Sequence, residues 1–184
     1  MPAIAARGHA YHVPMPKKKS MRYHHIALYV SDVDEAYRLY RDLLGFSEVK
    51  VDRITPNPEA VGIGGSVLDD IFHMKDCKVR SVLLKSSEGS YLELLQPLSP
   101  PVRTLSPEQC RFPYTGIKEL GLEVENIDAW FARIKAAGYE TQTDYVWATV
   151  TFRSFQFFDA DGNQVQLCEN KPGLSFENET GPQG

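Results

Sequence analysis

Four polar side chains stand at matched places in this 184-residue chain: His25, Glu93, Glu119 and Gln166. One imidazole, two carboxylates and one amide oxygen suit a divalent metal that accepts nitrogen and oxygen donors. Two glutamates cancel a charge of +2, which lowers the cost of enclosing the ion. Four protein donors leave places on an octahedral ion for water or substrate oxygens. A carboxylate beside it, Glu93 first and Glu119 second, can then move a proton on the neighbouring carbon. That chemistry is proton transfer next to a metal-bound carbonyl or enediolate.

Strand alternation brings these residues to one side, because successive side chains of a strand point to opposite faces. Ile26, Leu28 and Val30 share one face, and His25, Ala27 and Tyr29 the other. In the same way Leu92 and Leu94 oppose Tyr91, Glu93 and Leu95. Leu120, Leu122 and Val124 oppose Glu119, Gly121 and Glu123, while Val165 and Leu167 oppose Gln164, Gln166 and Cys168. The aliphatic faces belong under helices. The four polar residues therefore fall on the opposite sheet face, and they converge if the sheets curl toward each other. Tyr29, Tyr91, Glu123, Trp147, Arg153 and Phe155 are candidates for shaping a substrate pocket there. Ordinary sheet packing is the alternative for the aromatic residues, and solvent exposure for Glu123. His24 falls on the helix side by the same alternation, and His73 sits where it could reach over the cup or lie on the surface.

The matching rests on an internal repeat. An offset of 94 residues aligns His25 with Glu119, Leu28 with Leu122, Val30 with Val124, Asp32 with Asn126 and Asp34 with Asp128. An offset of 73 aligns Gly89 with Gly162, Leu92 with Val165, Glu93 with Gln166 and Leu94 with Leu167. The offsets differ by 21, close to the length of the Pro- and Gly-bearing segment 55–76, which is then an insertion in the first copy.

Each copy reads as βαβββ. In the first, a strand ends at Ser31-Asp32, a helix with Ala36, Tyr37, Leu39, Tyr40, Leu43 and Leu44 at helical spacing closes at Gly45, and strands follow at 47–54, 78–85 and 90–96. Val67, Leu68, Ile71, Phe72 and Met74 predict a short helical turn in the insertion that covers something. The second copy has a strand at 118–124, a helix at 127–138 and strands at 142–150, 151–158 and 163–169. The expected class is α+β: a flexible arm at 1–20, a first module at 21–97, a linker at 98–115, a second module at 116–170 and a tail at 171–184, with the two modules forming a cupped mixed sheet.

Composition narrows the partners. A net charge of −4 gives no reason to expect nucleic acid or an anionic membrane. No apolar run approaches the roughly 20 residues that span a bilayer, and the N-terminus lacks a secretory pattern. Cys77, Cys110 and Cys168 are odd in number and far apart, as free thiols in a reducing cytoplasm would be. Gly62-Ile63-Gly64-Gly65 lacks the Lys and Ser/Thr of a phosphate loop. A small molecule is the expected partner.

The chain resembles the vicinal oxygen chelate superfamily, which includes glyoxalase I, methylmalonyl-CoA epimerase, fosfomycin-resistance proteins and extradiol dioxygenases. The resemblance rests on His25-Ile26-Ala27-Leu28-Tyr29-Val30-Ser31-Asp32, Tyr40-Arg41-Asp42-Leu43-Leu44-Gly45-Phe46, Tyr91-Leu92-Glu93-Leu94-Leu95 and the run from Phe157 to Leu167. It implies paired modules around a divalent metal (Zn, Ni, Co, Mn or Fe), often in a homodimer. The family's metal positions fall on His25, Glu93, Glu119 and Gln166. The first two match the usual residue types, whereas Glu119 stands where His is common and Gln166 where Glu is common. Those departures count against a ring-cleaving dioxygenase. A metal-free, drug-sequestering binding protein is the rival to a glyoxalase-like isomerase, epimerase or lyase.

Overall fold

The computed structural model describes residues 23–55, 61–62, 65–101 and 103–175. The expected arm with its Lys17-Lys18-Lys19 run, His9 and His12, part of the insertion and the end of the tail lie outside the described residues.

Strand β1 (Ile26–Tyr29) leads through Asp32 into helix α1 (Val33–Tyr37). The Asp32 carboxylate accepts from the amides of Asp34 and Glu35, satisfying donors that a helix start leaves open. The helix continues as a π-helical stretch over Arg38–Leu43, where the Leu44 amide bonds the Leu39 carbonyl at 2.8 Å. Gly45 ends it with φ +87°, which a β-carbon would strain. Then come β2 (Glu48–Thr55), the short β3 (Val61–Gly62) and β4 (Gly65–Ser66), α2 (Val67–Phe72), β5 (Lys78–Lys85) and β6 (Tyr91–Ser99). A short α3 (Pro107–Cys110), capped by Ser106 and Gln109, lies in what the sequence reads as the linker between the modules. β7 (Glu119–Glu123), α4 (Ile127–Ala136), β8 (Trp147–Ala148), β9 (Phe152–Phe158) and β10 (Gln164–Asn170) complete the chain. β8 is only two residues long, shorter than the strand expected at 142–150; beyond it only Thr141 bridges, to Phe157.

The repeat is visible in the topology. One sheet runs β1-β6-β5-β2 and the other β7-β10-β9-β8, each with a parallel edge pair and antiparallel pairs after it. The fold is thus α+β, two four-stranded mixed sheets. The alternation holds: Leu92, Leu94, Val165 and Leu167 are fully buried, whereas Glu119 and Glu123 are exposed and Glu93 and Gln166 partly so. The buried faces of both modules meet in one core, in which Val33, Tyr40, Val82 and Leu84 join Ile127, Ile134, Phe155 and Phe157.

Two polar ties brace this core. The buried Tyr40 hydroxyl donates to Asp159 across the modules at 2.8 Å. Burial pushes the Asp159 carboxyl up, and Asn163 and Tyr40 partly offset it with hydrogen bonds. Tyr40→Phe leaves the carboxylate short of a donor and should cost about 1–3 kcal/mol, read as a lower urea midpoint at unchanged slope.

The second tie is doubled. Arg80 reaches Asp34 of α1 at 2.9 Å, and Arg153 reaches Asp128 of α4 at 2.7 Å. Arg80 also binds Asp52, which accepts the Tyr37 hydroxyl as well. The hydrogen bond from Arg80 holds the Asp52 carboxyl below its ordinary range, with Tyr37 adding to it against the opposing effect of burial. A depressed carboxyl stabilises the fold above its unfolded pKa, and that contribution is lost as pH falls through the folded value. Asp52→Asn should therefore lower Tm at pH 7, with a cost of at most about 1 kcal/mol for so open a pair. The gap from the parent should close below about pH 4.

Candidate functional site

His25 lies immediately before β1, and Glu93 sits in β6 opposite Ala27 in the parallel register. Their side chains meet, with His25 Nε2 3.3 Å from Glu93 Oε2, both about a third exposed. Tyr29 stands two residues further along the same face as Ala27. Burial, and then the charge of Glu93, push its phenol up, so it stays a neutral donor at neutral pH. The Tyr29 ring packs edge-on against Phe72 at 6.1 Å.

That contact shows what the insertion covers. Helix α2 lies over Tyr29, held by the Asp69 carboxylate, which accepts from the amides of Asp76 at 3.1 Å and Cys77 at 2.9 Å. His73 follows the helix at φ +52° and is exposed. His24 is exposed and lines a groove with Ile26 and Phe46. Its Nδ1 lies 2.6 Å from that of His25.

The second module presents the counterpart face. Gly121 leaves room for Gln166, whose Oε1 lies 3.9 Å from the place a Gly121 β-carbon would take. Glu123 accepts from Asn170 Nδ2 at 2.8 Å, and Trp147 Nε1 donates to Gln156 at 3.0 Å. Burial, with the charges of Glu119 and Glu123 beside it, pushes the Cys168 thiol up, although a hydrogen bond with Ser154 pulls the other way. The thiol is therefore no ready nucleophile. A groove of about 800 Å³ brings Glu119 alongside His24 and Tyr91.

Two of the sequence candidates belong elsewhere. Phe155 is fully buried with its ring 5.0 Å from Phe131, so it fills the core and lines no substrate pocket. Arg153 points the same way and is spent on Asp128 and Glu169. Both positions share the core-facing side of β9, which the register with Leu167 and Glu169 makes explicit.

Paired βαβββ modules of identical strand order, packed on one core, define a class. Residues 22–167 match the Glyoxalase/Bleomycin resistance protein/Dioxygenase superfamily, and the chain belongs to it. A glyoxalase family protein from Bacillus cereus superposes with TM-score 0.69 at 18% identity, over 85% of this chain and 98% of that one. One from Enterococcus faecalis gives 0.54 at 25% identity, over 80% and 97%. A glyoxalase/dioxygenase from Nostoc punctiforme gives 0.54 at 17% identity, over 93% and 99%. No curated sequence matches the chain.

Members of this superfamily commonly bind divalent metals. Whether these residues fit one depends on whether the donors gather. His25 and Glu93 do, but among the described residues no three His, Cys, Asp or Glu side chains draw together as metal ligands. Glu119 shares its groove with His24 and Tyr91, not with the His25–Glu93 pair. Of the four expected donors, His25 and Glu93 are the two in direct contact within one chain.

Proposed function

We propose that this protein is an enzyme of the isomerase, epimerase or lyase type that moves a proton on a small substrate with vicinal oxygens. The contact between His25 and Glu93 at 3.3 Å, beside Tyr29 on an open sheet face, supports this reading. Glu93 is the base that takes a proton from the carbon next to a carbonyl. His25 orients it, and the neutral Tyr29 hydroxyl donates to the oxygen on which charge develops. Phe72 and α2 keep water from one side.

The protein works in this reading as a homodimer. Phe112 and Val150, 94% and 82% exposed, offer apolar surface to a second copy. That no three His, Cys, Asp or Glu side chains draw together among the described residues favours a second reading, in which the site holds a small molecule without turnover.

The deciding experiment follows carbon-bound hydrogen exchange of hydroxyacetone and 2-hydroxyacetophenone in D2O by NMR, with metal analysis of the same sample. Exchange catalysed by the parent and lost in Glu93→Gln supports the enzyme. Absence of exchange in metal-free and metal-loaded protein alike refutes it and leaves the binding reading.

A further inference from the structure

A cavity of about 440 Å³ runs along the unpaired edge of β1, between that strand, the segment joining the modules and the turn before β10. Its size falls in the range of small-molecule sites. Ala27, Tyr29, Leu105 and Ile117 supply its apolar wall, with Leu105 58% and Ile117 88% exposed as the chain stands. Two charges face it. The Asp161 carboxylate is engaged by the Ser31 amide at 2.9 Å. Arg103 forms no ion pair with another described residue. A guanidinium at the rim of an apolar cavity matches a carboxylate, which it can grip through two parallel hydrogen bonds.

We propose that this cavity binds a small carboxylic acid with an aromatic or branched apolar body, the carboxylate on Arg103 and the body against Tyr29, Leu105 and Ile117. The cavity adjoins the His25–Glu93 pair and shares Tyr29 with that site, but its lining does not include Glu93. It does not require Glu93 to act as a base.

Calorimetric titration of the full chain with phenylacetate, phenylacetamide and acetate tests the assignment. Phenylacetate should bind, and the neutral amide and the truncated acid should each bind at least about tenfold more weakly, the equivalent of one lost charge-assisted contact or of the buried ring. Arg103→Met should weaken phenylacetate about tenfold or more, and Leu105→Trp, which fills the cavity, should abolish its binding. Glu93→Gln should bind it as the parent does, which separates this site from the proposed catalysis. Equal binding of the acid and the amide, an unchanged Arg103→Met or Leu105→Trp, or no binding by the parent overturns the proposal. So does binding that appears only when a dimer is diluted to monomer, because the wall then belongs to a second copy.

Discussion

Glu93→Gln should reduce proton exchange at the substrate carbon by about a hundredfold to ten-thousandfold, the range that a positioned general base supplies. The substitution keeps shape and retains an amide oxygen facing His25, so the partly exposed site loses its base and little else. Tm should stay within about 0.5 kcal/mol-equivalent of the parent, as for surface substitutions outside the core. His25→Ala should fall between the two, because Glu93 keeps its carboxylate but loses the neighbour that orients it. An activity loss in His25→Ala alone, with Glu93→Gln active, would reverse the roles.

Phe155→Ala should cost about 3–5 kcal/mol, a large fraction of the stability of a chain this size. The ring is fully buried, stands 5.0 Å from Phe131 and 6.1 Å from Phe157, and occupies the core shared by both modules. Truncation leaves a void that flanking strands cannot close without breaking register with β10. Denaturant melts should show one transition at much lower midpoint, while the folded fraction binds ligands as the parent does. A pocket residue would behave the opposite way, with affinity lost and stability kept.

The placement of Phe155 shows where the sequence was legible and where it was not. Alternation in β1, β6, β7 and β10 sorted core from open face correctly, because each strand has a continuous aliphatic stripe. β9 has none: Phe152, Phe155, Phe157 and Phe158 put aromatic rings on both faces, so parity needs the register with Leu167 to assign it. The meeting of His25 with Glu93 follows from their shared face, whereas the distance of Glu119 from them depends on how two sheets pack, which no local pattern encodes. The Arg80 and Arg153 ties could have been found. They obey the same 73-residue offset, and Asp34 and Asp128 the same 94, as Leu92 and His25 do. Gln96 and Glu169 continue it: Gln96 accepts from the Val33 amide and Glu169 from that of Asn126.

Those duplicated ties make the two halves mechanically alike while their open faces differ. The guanidinium clasps, helix caps and aliphatic stripes all lie on the side of the strands that faces the helices. Residues that face the helices thus hold the molecule together, while the proposed catalytic residues are their neighbours on the open face. Either set can be rewritten without disturbing the other, which makes the chain a scaffold in the engineering sense. Its second open face, with Gly121 as a ready-made recess beside Gln166, is a place to install a chemistry that the first half does not have.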